Sequence, residues 1–137
     1  MSTASLLELE LLAFPKAVPD LRRTVRRHLG GPCDDVQLCV TELVGNVVRH
    51  VGEGTPVRVR VAGAGAGASA GMEGARGGRI RIEVSDPDPR ALPVLLCAAG
   101  DDESGRGLAL LDAVALRWGV EQGATGKTVW CELGETW

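Results

Sequence analysis

Three polar side chains in the middle of the sequence carry groups suited to phosphate and metal chemistry. Glu42, Asn46 and Arg49 are spaced by four and three residues, which on an α-helix places them within roughly 60° of one another. An amide oxygen can ligate Mg²⁺, a guanidinium can bind a phosphate, and a carboxylate can accept a proton or orient a nucleophile. The same three residues would also fit an ordinary solvated helix face.

Two further features could complete such a site. Gly105, Arg106 and Gly107 stand where the sequence predicts that a helix begins, and exposed N–H groups beside a cation bind anions. Asp86 closes a predicted strand, where its carboxylate could accept a hydrogen bond from the amine of a base. Simpler interpretations are a helix entry capped by Ser104 and a plain turn residue.

The segment GATGKT, residues 123–128, resembles a phosphate-binding P-loop. A P-loop needs a glycine five residues before the glycine of its Gly-Lys pair, and this chain has Glu121 there. It also needs a helix to follow, whereas residues 127–133 alternate apolar and polar side chains. The segment is therefore predicted to be a hairpin turn and not a P-loop.

The spacing of apolar residues predicts the elements that position these groups. Alternation predicts strands, and spacings of three and four residues predict helices. Strands are expected at residues 6–14, 57–61, 79–84, 117–121 and 127–133, and helices at 15–29, 34–51 and 105–116. Asp34 with Gln37 resembles a capping box at the start of the second helix. His50 is predicted to pack at the edge of the apolar stripe of that helix.

Together these elements predict one α+β domain over residues 1–137. It is a two-layer sandwich in which a mainly antiparallel sheet carries helices on its apolar face and leaves its charged face solvated. Glu8 and Glu10 could neutralise the arginines of neighbouring strands on the charged face. Residues 62–78, almost entirely Gly and Ala, are expected to form a flexible loop.

Composition excludes several classes of function. A net charge of −3 and only 3% aromatic residues argue against a general nucleic-acid binder or a base-stacking surface. No apolar run is long enough to span a bilayer, and no signal-peptide pattern begins the chain. The four cysteines lack zinc-site spacing and are expected to be buried, reduced thiols of a cytoplasmic protein.

The order of these motifs along the chain resembles a known family. ELVGNVVRH at residues 42–50, then Asp86 closing a strand, then GRGL at 105–108 and GKTVW at 126–130 are similar to the Bergerat-fold ATP-binding domain of the GHKL superfamily. The small size and the E-L-V-x-N-x-x-x-H form are similar to the bacterial anti-sigma-factor serine/threonine kinases. The resemblance covers nearly the whole chain.

The resemblance implies a site for ATP and Mg²⁺. It implies that Glu42 activates the substrate hydroxyl, that Asn46 binds Mg²⁺ and that Arg49 contacts a phosphate. Asp86 would read the adenine amine. The glycine box at residues 105–107 would follow a short ATP lid at residues 87–104, with Arg106 near the phosphates, and Thr128 would lie near the nucleotide. The implied partners are a sigma factor and an antagonist protein, and the implied assembly is a homodimer.

The chain also departs from the family pattern. Where the family has D-x-G-x-G, residues 86–90 read DPDPR, and prolines supply neither the glycine conformations nor the N–H donors. Two functions are therefore expected from the sequence. The first is a regulatory protein kinase that phosphorylates an antagonist and sequesters a sigma factor. The alternative is a partner-binding module of the same fold with weak or no ATP binding.

Overall fold

The structure is a computed structural model of the chain, and it describes residues 5–30, 32–64, 78–89 and 111–134. Five strands and two complete helices lie in these ranges, and residues 111–114 belong to a further helix. In chain order the elements are β1 Ser5–Leu12, α1 Ala17–Leu29, α2 Asp34–His50, β2 Pro56–Ala64, β3 Arg79–Asp86, β4 Arg117–Gln122 and β5 Lys127–Leu133. The α+β architecture expected from the sequence is confirmed.

The five strands form one sheet in the order β1-β2-β3-β5-β4, and each neighbouring pair is antiparallel. The hairpin predicted for residues 123–126 joins β4 to β5 and is closed by a 2.8 Å bond from the Gly123 amide to the Gly126 carbonyl. Since β5 lies between β3 and β4, it brings the GKT segment beside the end of β3. This placement decides which residues meet at the candidate site.

The core lies between the sheet and the two complete helices. Residues of β3 alternate between exposed or half-buried and buried, so one face of the sheet meets the helices. The apolar stripe of α2 covers that face; its buried members are Val36, Cys39, Val40, Leu43, Val44 and Val47. This stripe leaves the opposite side of α2 for polar residues.

Two details of α2 differ from the sequence expectation. The helix begins at Asp34 with Cys33 at the N-cap and no side-chain cap bond, so the capping box is wrong. Gln37 instead donates to the Cys33 sulfur at 3.4 Å. His50 is exposed and does not pack at the edge of the stripe, because Val47 and Val51 take the core-facing positions there.

The outer face of the sheet is charged, as predicted, and its charges are paired across strands. Glu10 of β1 pairs with Arg58 of β2 at 3.2 Å. Arg81 of β3 pairs with Glu132 of β5 at 3.1 Å, and its guanidinium lies 4.3 Å from the ring centroid of Trp130. The expected neutralisation by acidic residues of β1 is thus one part of a wider network that also uses β3 and β5.

The cysteines in the described ranges are free and buried, as expected: Cys33, Cys39 and Cys131. A hydrogen bond with Cys39, together with burial, raises the pKa of the Cys131 thiol. Residues 62–64 were expected to begin the loop, but they belong to β2 and pair with β3. Cys97 and residues 65–77 lie outside the described residues. No helix within the described ranges has the length and hydropathy of a membrane span.

Candidate functional site

Helix α2 brings Glu42, Asn46 and Arg49 together on its polar side. The Arg49 guanidinium donates a 3.0 Å hydrogen bond to the amide oxygen of Asn46 and lies 3.9 Å from the Glu42 carboxylate. The Arg49 and Glu42 side chains are 37% and 20% exposed. The three groups therefore form one cluster that solvent, and hence a ligand, can reach.

Gly45 explains how this cluster fits on the helix. A Cβ atom at residue 45 would lie 3.1 Å from Nη1 of Arg49, so the missing side chain leaves room for the guanidinium over the helix surface. A glycine inside a helix costs about 0.5–1 kcal/mol relative to alanine. That cost is explained by the space needed for the contact between Arg49 and Asn46.

Asp86, the residue expected to read a base, lies at the end of β3 with its side chain fully buried. Lys127 is its cross-strand partner on β5, and Nζ of Lys127 donates to Oδ2 of Asp86 at 2.8 Å. The amide of Asp88 donates to the other carboxylate oxygen, also at 2.8 Å. Both oxygens of Asp86 therefore already have a partner within the chain.

Lys127 closes this end of the sheet in a second way. Its ammonium also donates to the carbonyl of Asp88 at 3.2 Å, and only 5% of its side chain is exposed. At Gly126, an added Cβ would come within 2.4 Å of the Asp86 carbonyl oxygen, which shows how closely the hairpin turn approaches the end of β3. The carboxylate lies in a tightly packed junction of two backbones and one lysine.

Thr128 lies on the other face of the sheet from Asp86. Successive residues of a strand point to opposite faces, and Thr128 pairs with Ser85 while Lys127 pairs with Asp86. The hydroxyls of Thr128 and Ser85 are 2.7 Å apart. The structure therefore places Thr128 beside Ser85, and the residue beside Asp86 is Lys127.

Sequence reasoning missed Lys127 as a member of this region. The signal was present: once β3 and β5 are neighbours, strand alternation places Lys127, and not Thr128, on the face that Asp86 shares. Gly105, Arg106 and Gly107 lie outside the described residues, so the structure adds nothing on these three. No group of three or more His, Cys, Asp or Glu side chains in the described ranges could hold a metal ion.

A cleft of about 490 Å³ runs between α1 and α2, beside the α2 cluster. Helix α1 contributes Arg22, Arg23 and Arg26 to its wall, and α2 contributes Thr41 and Glu42. Thr41 Oγ1 is buried without a hydrogen-bond partner among the described residues. Glu42 thus faces this basic cleft and also belongs to the cluster with Arg49.

The family to which the chain belongs follows from comparison with known proteins. The sequence profile of the histidine kinase-like ATPase domain matches residues 12–133. The chain belongs to this family. The match extends from the end of β1 to the end of β5, so it covers both α2 and the junction of β3 with β5. The resemblance to an ATP-binding domain of this kind is confirmed at the level of this family.

Two individual proteins show how far the likeness extends. An uncharacterized protein of Streptomyces coelicolor is 47% identical over 94 residues, which are 68% of this chain and 79% of that protein. The crystal structure of the RsbU and RsbW domains of Rv1364c from Mycobacterium tuberculosis superposes with a TM-score of 0.56 at 22% identity and covers 93% of this chain. This chain spans about a third (32%) of that longer one. At this sequence identity the likeness shows the fold alone.

The two ends of the candidate site differ in how well they fit a nucleotide with its Mg²⁺. At the α2 end, an amide oxygen, a carboxylate and a guanidinium are accessible and adjacent, which suits a metal ion and phosphates. At the β3 end, the Asp86 carboxylate is fully buried and bound to Lys127. The residues present therefore fit the phosphate end and, as arranged, do not fit the reading of a base by Asp86.

Proposed function

We propose that this histidine kinase-like domain is a regulatory protein kinase that binds Mg-ATP, phosphorylates a serine or threonine of an antagonist protein, and sequesters a sigma factor when that antagonist is absent. The observation that carries the proposal is the accessible cluster of Glu42, Asn46 and Arg49 on α2. The chain matches the family over both ends of this site. The chemistry of the three side chains is that of phosphoryl transfer.

In this proposal each side chain of the cluster has one role. Glu42 accepts the proton of the attacking hydroxyl as its oxygen bonds to the terminal phosphorus and the bond to the ADP oxygen breaks. Asn46 offers its amide oxygen to Mg²⁺, which neutralises phosphate charge when it is bound. Arg49 holds Asn46 in place before the ligand arrives and can then turn its guanidinium towards a phosphate.

The experiment is a calorimetric titration with ATP and with a slowly hydrolysed analogue, with and without Mg²⁺. The proposal expects Mg²⁺-dependent binding that Asn46→Ala weakens by about tenfold or more, since lost ligation of a charged group costs at least ~1.4 kcal/mol. Gln37→Ala is the matched control, because it removes a carboxamide from the same helix about 13 Å away. Equal losses in both variants would show that Asn46 has no special role.

A second function, a partner-binding module without catalysis, is favoured by a different observation. The buried pair of Asp86 with Lys127 closes the end of the site where the family reads the base. Replacing Glu42 by Ala separates the two functions, because it removes the proposed proton acceptor and leaves the buried apolar stripe of α2 unchanged. Regulation that survives Glu42→Ala in cells would overturn the kinase and support the module.

Both functions need a surface for a partner protein, and the cleft between α1 and α2 suits an acidic one. Arg22 and Arg26 are exposed on α1, and the cleft leads to Glu42. A segment lying there would place its hydroxyl beside the proposed proton acceptor. Charge reversal of Arg22 and Arg26 to Glu should abolish phosphorylation of the antagonist while ATP binding persists. Loss of ATP binding together with phosphorylation would instead indicate that the cleft belongs to the nucleotide site.

A further inference from the structure

The contact between Lys127 and Asp86 has no role in the kinase function proposed above. The ammonium forms hydrogen bonds to the Asp86 carboxylate at 2.8 Å and to the Asp88 carbonyl at 3.2 Å. The two side chains are 5% and 0% exposed. A buried ion pair is weak evidence for stability, because desolvation opposes the attraction between the charges. This pair is therefore better explained by what it does to the site.

The pair changes which groups the site offers to a base. A free carboxylate is only an acceptor and selects a base that presents an N–H donor, as the exocyclic amine of adenine does. Here a lysine ammonium covers one oxygen and the Asp88 amide donates to the other. An ammonium has three N–H donors and no acceptor, and two of its three donors are used. Both oxygens of the Asp86 carboxylate are therefore occupied before a base arrives.

We propose that Lys127 is a specificity-determining residue of the nucleotide site: it stays bound to Asp86 in the complex, so that the protein recognises nucleoside triphosphates through their phosphates and does not select adenine. This inference rests on the proposed nucleotide binding. Guanine presents a carbonyl oxygen where adenine presents an amine, and neither group gains a hydrogen bond from a pair whose side chains are only 5% and 0% exposed. ATP and GTP should therefore bind with similar affinity.

The first measurement needs no variant. Titration of the wild-type protein with Mg-ATP and with Mg-GTP should give dissociation constants within about threefold of each other. A ratio of about threefold is smaller than the change expected from gaining or losing one typical neutral hydrogen bond. Preference for ATP by more than about tenfold would overturn the inference. That outcome would leave nucleotide binding intact, so the inference and the proposed function fail separately.

The second measurement uses the variant Lys127→Met. It keeps the length of the side chain but frees the Asp86 carboxylate to accept the adenine amine, so the ratio of GTP to ATP dissociation constants should rise by about tenfold or more. Lys16 is the other lysine of the sequence and is exposed, which makes Lys16→Met the matched control with an unchanged ratio. An unchanged ratio in Lys127→Met would overturn the inference.

A third measurement tests the inference on the wild-type protein, and it can be made even if Lys127→Met does not fold. Because the sequence contains two lysines, a protein labelled with [¹⁵N]lysine gives two side-chain amine signals, and that of the buried Lys127 should exchange slowly with solvent. The inference expects this protection to persist at saturating ATP. Loss of protection on adding ATP would show that adenine displaces Lys127. If neither ATP nor GTP binds to the wild type or to Lys127→Met, the proposed function and the inference are overturned together.

Discussion

The two ends of the candidate site hold their charges in opposite ways. On α2, Arg49 and Glu42 are 37% and 20% exposed and 3.9 Å apart, so their attraction is weakened by water. At the junction of β3 and β5, Asp86 and Lys127 are almost completely buried and 2.8 Å apart. The first pair can rearrange around a ligand at little cost. The second cannot separate without leaving an unpaired charge in the protein interior.

This difference indicates how the two ends contribute to function. An accessible cluster whose members already contact one another is suited to binding and catalysis, because its contacts can be exchanged for contacts with phosphate. A closed pair shapes the site without changing during the reaction. A pair of a carboxylate and a cation is therefore suited to binding and catalysis on α2, whereas the corresponding pair at the junction of β3 and β5 has a structural role.

We call the junction of β3 and β5 the closed end of the site and the α2 cluster the open end. The largest expected effect is on the free energy of unfolding when the pair at the closed end is broken. Asp86→Ala leaves the Lys127 ammonium buried with the Asp88 carbonyl as its one hydrogen-bond acceptor among the described residues, and breaking a buried pair in this way costs about 3–5 kcal/mol. Urea denaturation followed by circular dichroism would measure the loss. At the open end, Arg49→Ala should change stability by no more than about 0.5 kcal/mol, as is usual for surface positions.

The double variant Asp86→Ala with Lys127→Met tests the reason for that loss. It removes both charges, so it should recover most of the stability that Asp86→Ala loses, and the two changes should be strongly non-additive. Additive losses, or a loss below about 1 kcal/mol in Asp86→Ala, would mean that the pair is exposed to solvent and that the contrast between the two ends does not hold.

An intermediate effect is expected on the outer face of β5. Hydrogen bonds from Arg117, and also from Arg81, lower the pKa of Glu132, although burial opposes them. Because its pKa in the folded state lies below the ordinary value of 4.5, its stabilising contribution is complete above that pH and is lost as the pH falls through the lowered pKa. Glu132→Gln should cost about 1.5–3 kcal/mol at pH 7 and remove this acid dependence.

Denaturation midpoints between pH 7 and pH 3 would check this expectation. Glu121→Gln is the matched control, because Glu121 also pairs with Arg81 but its side chain is 68% exposed. It should cost no more than about 1 kcal/mol. An equal cost for both substitutions would show that burial does not distinguish the ion pairs of this sheet.

The smallest expected effect has the opposite sign. Gly45→Ala should stabilise α2 by about 0.5–1 kcal/mol through helix propensity, and its Cβ, 3.1 Å from Nη1, should shift the Arg49 guanidinium by a few tenths of an ångström. Thermal denaturation should therefore show a higher midpoint while ATP titration shows weaker binding. A more stable variant with unchanged affinity would separate Arg49 from nucleotide binding.

The sequence predicts the elements well and the closed end of the site poorly. Alternation in β3 and β5 and the valine stripe of α2 are local patterns, and they are sufficient for the strands, the helices and the cluster of Glu42 with Asn46 and Arg49. The pairing of Lys127 with Asp86 depends on a contact between residues 41 positions apart. The order of the strands is needed to predict that contact, because no local pattern around Asp86 or Lys127 indicates it.

The position of β5 in the sheet has a consequence for how the protein is made. The strand order β1-β2-β3-β5-β4 pairs Ile80 with Leu133, so one neighbour of β3 in the sheet is synthesised after β4. On a ribosome, β1, β2 and β3 emerge as an unfinished sheet with an unpaired edge. Completion of the sheet and burial of Lys127 should therefore occur together, once β5 has been synthesised.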